Sequence, residues 1–172
     1  MRDPEDFDAF YAGSVRRVIS QLYAMTGNRA EAEDVVQEAY ARAWQRWDKV
    51  SGYGDPEGWV RTVAYRISVS SWRKTVSRGI AHRRHGVSAP VPEISPDYVA
   101  IVTALRKISE GQRRVVVLHH LVGLSVTEIA RETGATPGAV KTRLTRGRQA
   151  LSEYLSEAAA GHGPEEAQSH AG

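Results

Sequence analysis

Ala130, Gly134 and Val140 stand four and six residues apart in a stretch otherwise written for two helices, and few backbones satisfy all three. A small residue lets two helix axes cross closely. A glycine takes the left-handed conformation that a sharp turn needs. A β-branched apolar residue six positions on plugs the second helix back onto its core. Ser125 with Glu128 predicts a capping box for the first helix, and Thr136-Pro137 caps the second, which is expected to run to about Ser156. Ile129 and Leu144 complete the packing. This spacing predicts a helix-turn-helix at the C-terminal end of the chain.

Helical periodicity extends over most of the sequence. Asp3-Pro4 starts a helix whose stripe is Phe7, Phe10, Tyr11, Val15, Val18, Ile19, Leu22 and Tyr23, and Gly27-Asn28 breaks it. Asn28 and Glu31 make a capping pair for a second helix, buried through Ala32, Val35, Val36, Ala39, Tyr40, Ala43, Trp44 and Trp47. Asp48 to Gly54 is read as a loop. After Asp55-Pro56 a third helix buries Trp59, Val60, Val63, Ala64 and Ile67 and is expected to show Arg61 and Arg66 outside. Val69-Ser70-Ser71 fits a short turn or a weakened helix, and Trp72 to about Ile80 is helical again. The linker, 85–96, holds three prolines, a glycine and two serines. Beyond it come a helix over Asp97–Ile108 with Val99, Ile101, Val102, Leu105 and Ile108 apolar, and one from the Ser109–Gln112 capping box to about Val122. The fold class is therefore all-α. Two small helical domains, 1–84 and 97–157, are joined by a flexible linker, and a disordered tail covers 158–172.

Charge divides the chain differently from its sum of +3. Met1 to Glu57 carries eleven acidic and seven basic residues, whereas Gly58 to Pro92 has no acidic residue and holds Arg61, Arg66, Arg73, Lys74, Arg78, Arg83 and Arg84. A second basic cluster is Lys141, Arg143, Arg146 and Arg148. Two cationic surfaces suit a polyanion held at two places.

Several function classes are excluded. There is no cysteine, which removes disulfides, thiolate chemistry and cysteine-ligated zinc. His119 and His120 are adjacent and point about 100° apart on a helix, and no HExxH pattern exists. No phosphate-binding glycine loop or nucleophile motif is present, so no catalytic residue, metal or cofactor is assigned and the chain is not read as an enzyme. No apolar run reaches membrane-spanning length. The N-terminal residues lack a signal-peptide core, and a cytoplasmic location is expected without membrane insertion.

Three segments in order carry a resemblance. Glu31-Ala-Glu-Asp-Val-Val-Gln-Glu-Ala-Tyr-Ala-Arg-Ala-Trp44, Trp59-Val-Arg-Thr-Val-Ala-Tyr-Arg-Ile67, and Gln112-Arg-Arg-Val-Val-Val-Leu-His-His-Leu121 followed by Ser125 to Arg148 resemble the RNA polymerase sigma factors of the extracytoplasmic-function group, over about Phe7 to Leu155. The resemblance implies a factor that binds core RNA polymerase and directs promoter recognition and transcription initiation. It implies polymerase contacts through Asp34, Gln37, Glu38 and Arg42 to the β′ coiled coil, with the β flap as a further contact of core polymerase. It implies minus-ten contacts through Arg61, Arg66, Ser70, Ser71, Trp72, Arg73 and Lys74. Upstream, at the minus-thirty-five element, the reader would be Thr136, Pro137, Gly138, Ala139, Lys141, Thr142, Arg143 and Arg146. Promoter DNA, core polymerase and an anti-sigma protein are the partners it suggests. The rival reading is a dimeric helix-turn-helix regulator without stable polymerase binding. That reading leaves the second basic surface and the acidic helix unexplained.

Overall fold

The computed structural model describes residues 3–78 and 94–161, with side chains given for all of these except 76–78. Among the described residues there are eight helices and no strand. None of these helices is long and apolar enough to cross a membrane. By compactness the chain divides into Met1–Val102 and Thr103–Gly172, a boundary that falls inside the fifth helix. Residues 85–93 of the expected linker and 162–172 of the expected tail lie outside the described residues.

In the first unit, α1 (Pro4–Thr26), α2 (Arg29–Gln45) and α4 (Pro56–Arg78) pack against one another, and a single turn, α3 (Trp47–Val50), follows α2. The caps are local and appear as the sequence predicts. Asp3 accepts from the Glu5 N–H at 3.0 Å, and Asn28 accepts from the Glu31 N–H at 3.0 Å. Val18, Leu22, Val36 and Val60 form the fully buried centre. At one end Phe7 meets Trp44 and Trp47, each with ring centroids 5.2 Å apart. Beside them Ser14 and Tyr40 share a buried hydroxyl hydrogen bond of 2.6 Å, and burial pushes the Tyr40 phenol up to about 12.

The expectations for Asp48–Gly54 and for the buried face of α4 need correction here. Asp48–Val50 belongs to α3, so only the rest of the expected loop is non-helical. The Glu31 carboxylate accepts from Ser68 at 3.0 Å, tying the start of α2 to α4. Of the two readings of Val69-Ser70-Ser71, a short turn or a weakened helix, the helix holds: α4 runs through it unbroken. The buried stripe of α4 is Val60, Arg61, Ala64, Tyr65 and Ser68, rotated from the one that apolar residues alone suggested, and Trp59, Val63 and Ile67 are only half-buried. Arg61 is therefore buried, with 2% of its surface exposed, rather than outside. Its guanidinium reaches Gln21 on α1 at 3.4 Å and Asp55 at 3.7 Å. These polar partners make the burial of a cation tolerable.

The first half of α5 (Pro96–Leu105) belongs to this unit: the Tyr98 hydroxyl donates to the Ser20 carbonyl at 2.5 Å. Val99 and Ile101, expected in the apolar stripe, are exposed, while Val102, Leu105 and Ile108 are buried.

The second unit contains α6 (Glu110–His120), α7 (Val126–Thr133) and α8 (Pro137–Ala160). Its core is Val115, Val117, Leu118, Ile129, Val140 and Leu144. The run Val115-Val116-Val117, β-like in composition, is helical, because Ser109 caps α6 through the Gln112 N–H and the apolar face is packed on both sides. α5 ends at Leu105 and α6 at His120, earlier than the expected Ile108 and Val122. α8 continues to Ala160, which takes 158–160 out of the expected tail.

Candidate nucleic-acid interface

The turn between α7 and α8 has the geometry its sequence demands. Gly134 has φ +71°, in the left-handed region, and ends α7. Ser125 and Glu128 form the complete reciprocal box at the start of α7, at 2.7 Å and 3.2 Å. Thr136 accepts from the Ala139 N–H at 3.1 Å and opens α8. Ile129 and Val140 are fully buried and Ala130 nearly so, which fixes α7 across α8.

The hydrogen bond from the Ser125 backbone N–H, helped by the Ser125 hydroxyl, holds the Glu128 carboxyl below the usual carboxylate range. A folded value below the unfolded one means that the ionised box stabilises α7 above the ordinary glutamate pKa. That stability is lost as pH falls through the lowered value. Glu128→Gln keeps an acceptor and loses the charge. Wild type should therefore melt higher than the variant at pH 7, and the gap should close on acidification. A gap independent of pH between 7 and about 3 would contradict the assignment.

α8 presents the reader residues on its open side. Pro137, Gly138, Lys141, Thr142, Arg143 and Arg146 are exposed and Ala139 is half-buried. Thr142 donates back to the Gly138 carbonyl at 3.0 Å. Thr136 is occupied by its capping bond. By helical geometry Gly138 and Thr142 lie near the centre of the exposed face, with Lys141 on one edge and Arg146 on the other. The two cations bracket a small, approachable tip. The sequence reading missed Gly147, which is buried where α8 crosses α6. A Cβ there would stand 2.9 Å from Val116 Cγ2 and 3.3 Å from Gln112 Cβ. A glycine inside a strongly helical run was the available signal.

The second set lies on α4. Arg66, Ser70, Arg73 and Lys74 share one exposed face, and Ser71 is exposed beside it. Trp72, 63% exposed, is not on that face. It continues the line of Arg61, Tyr65 and Ser68, past the point where α4 leaves its three-helix core. An uncovered indole at the end of a buried stripe is a surface on which a base can stack. Arg61 does not join this surface: it lies in the core, and as the side chain stands it reaches no external ligand.

The third set lies on α2. Asp34 and Arg42 are exposed, and Arg42 pairs with Glu38 at 3.0 Å, one turn away. Gln37 exchanges hydrogen bonds with the Tyr11 hydroxyl at 3.0 Å and 3.3 Å, which fixes its amide against α1. All four project to one side of the helix.

Comparison with known proteins matches both units. Residues 10–78 match the family described as Sigma-70 region 2, and residues 98–151 match Sigma-70, region 4. The extracytoplasmic-function (ECF) RNA polymerase sigma factor SigL of Mycobacterium tuberculosis is 32% identical over 141 residues, covering 77% of this chain and 79% of SigL. The ECF factor BldN of Streptomyces coelicolor is 30% identical over 164 residues, covering 90% of this chain and 62% of BldN. Among solved structures, the sigma factor RpoE of Bartonella quintana, crystallised with the anti-sigma factor NepR, shares the fold. Its TM-score is 0.72 at 24% identity, over 88% of this chain and 98% of that one. The M. tuberculosis factor SigJ gives 0.55 at 27%, over 84% of this chain and 53% of SigJ.

Proposed function

We propose, from the premise that this chain belongs to the extracytoplasmic-function group of sigma-70 RNA polymerase sigma factors, a division of labour among its three exposed surfaces. As a sigma factor it directs promoter recognition by RNA polymerase. In our reading the tip of α8 enters the major groove of the upstream element. Gly138 and Thr142 allow close approach, while Lys141 and Arg146 grip guanine edges or phosphates. The Arg66, Ser70, Arg73 and Lys74 face of α4 holds the backbone of the minus-ten element, and Trp72 offers the stacking surface for an unpaired base. Asp34, Gln37, Glu38 and Arg42 dock on core polymerase. The protein carries out no chemistry of its own and works beside core polymerase in the cytoplasm. An anti-sigma protein is a further proposed partner, since the neighbour RpoE was crystallised with one.

The observation that carries this reading is the left-handed Gly134 turn, which sets a small-tipped cationic helix clear of its own core. Two modest DNA contacts joined in one chain, and both tethered to polymerase, gain from effective concentration. A dimeric regulator would need only the first of the three surfaces.

Run-off transcription of genomic fragments by core polymerase, with and without the chain, tests the proposal. Defined start sites should appear only when the chain is present. Arg146→Ala should lower initiation at promoters that depend on the upstream element by roughly 5- to 100-fold, the range expected for loss of one base or phosphate contact. Unchanged initiation at every salt concentration would remove α8 from the DNA.

A further inference from the structure

The carboxyl-terminal side of the reader helix carries a cation that its neighbour holds in place. The Arg148 Nε–H donates to His120 Nε2 at 3.0 Å, across from α8 to the last residue of α6, and both residues lie at the surface with the imidazole partly covered. The arrangement around His120 is built. His119 beside it is anchored by Nδ1 to the Leu124 carbonyl at 2.8 Å; a carbonyl only accepts, so that nitrogen carries the proton. The two imidazoles meet edge to face with centroids 4.8 Å apart. His120 is thereby fixed with Nε2 toward α8 as an acceptor, which requires the neutral ring. Partial burial and the charge of Arg148 favour that form, and His119 adds to it. With Nε committed to His120, the two terminal nitrogens of Arg148 have no hydrogen-bond partner among the described residues.

We propose that Arg148 is a phosphate contact of the DNA-bound helix and that His120 is its positioning residue. Arg148 follows Lys141 by seven residues, so the two lie about 20° apart around α8 and about 10 Å apart along it. Lys141 belongs to the tip that enters the groove. A helix about 10–12 Å across fills a major groove about 12 Å wide, so a side chain two turns back on the same edge meets the groove wall, which is phosphate. A guanidinium with two free forked donors matches a phosphate bidentately, and one already fixed at Nε loses less freedom on binding. The inference rests on the docking of α8 proposed above and adds two residues to it.

The test uses holoenzyme reconstituted from core polymerase and the full chain, on genomic fragments that the wild-type holoenzyme selects. Affinity is measured from 50 to about 300 mM KCl at pH 7.5. Arg148→Ala should weaken binding about 3- to 10-fold and lower the salt slope by about one, with start-site choice unchanged. His120→Ala should weaken it about 2- to 4-fold, and His120→Gln, which keeps an acceptor, should restore it. In an Arg148→Ala background, which leaves no donor facing His120, His120→Ala should add nothing, as a double-mutant cycle reads directly. If Arg148→Ala leaves affinity and slope unchanged while Arg146→Ala lowers both, the phosphate contact is overturned and the docking of α8 stands. If both are inert, the docking itself fails. If His120→Ala matches wild type, or weakens binding equally in the Arg148→Ala background, the positioning role is overturned.

Discussion

Replacing Gly147 with leucine should unfold the second unit while leaving the first folded. Gly147 sits inside α8 where glycine costs a helix about 1 kcal/mol relative to alanine, so a reason for its presence is required. The crossing with α6 supplies it. A Cβ at this position would come within 2.9 Å of Val116 Cγ2, and Val116 is itself 6% exposed and β-branched. A β-branched side chain on a helix has one favoured rotamer and cannot swing away cheaply. Gln112 closes the other side at 3.3 Å. Overpacking typically costs 1–3 kcal/mol for a few added methylenes, and leucine adds a whole branched side chain against a stiff neighbour. A unit of this size has only a few kcal/mol in hand. Hydrogen exchange on the full chain should then show protection lost through α6, α7 and α8 and retained in α1, α2 and α4. Gly147→Ala should be far milder, because the gain in helix propensity offsets part of the clash. Retained protection in α6–α8 of the leucine variant would mean that the helices cross less closely than described.

What the sequence could and could not reveal follows from the range of each interaction. The caps at Asp3, Asn28, Ser125 and Thr136 involve residues two or three apart, and all four were readable directly. The turn at Gly134 was readable because φ +71° leaves glycine as the natural occupant. The phase of α4 was not. Its buried stripe includes Arg61 and Ser68, whose partners Gln21 and Glu31 are 40 and 37 residues away. A hydrophobicity pattern counts such residues as surface, and it rotated the helix accordingly. The same error put Arg61 on the DNA-facing side, whereas Val69-Ser70-Ser71 fitted either a turn or a weakened helix for a different, local reason. Local propensity weakens a helix at β-branched residues and serines, but α4 remains continuous there. Arg148 was visible as part of a basic cluster, yet its partner His120 lies on another helix, and only the fold brings the two together.

Reversing the charges of Asp34 and Glu38 together, as Asp34→Lys with Glu38→Lys, should lower affinity for core polymerase by on the order of 100-fold and leave the fold intact. Both side chains stand on one face of α2, clear of the core residues Val35, Val36 and Ala39. Their contribution to stability is small: the Glu38–Arg42 pair has 43% and 50% of its side chains exposed, and exposed pairs of this kind contribute about 0–1 kcal/mol. The new lysine beside Arg42 adds a like-charge repulsion of only a few tenths of a kcal/mol. At the polymerase surface the change is larger. A proposed cationic partner would meet two positive charges in place of two negative ones, and like-charge juxtaposition across an interface costs several kcal/mol. The loss should shrink as salt rises, because exposed charges are screened over about 10 Å at 0.1 M. Gln37→Ala in the same assay should cost less, since its amide is already held by Tyr11 and carries no charge. Competition against labelled wild-type chain for core polymerase, between 50 and about 500 mM salt, measures all three. If the doubly reversed chain competes as well as wild type at low salt, α2 does not meet a cationic surface, and polymerase must grip the first unit elsewhere.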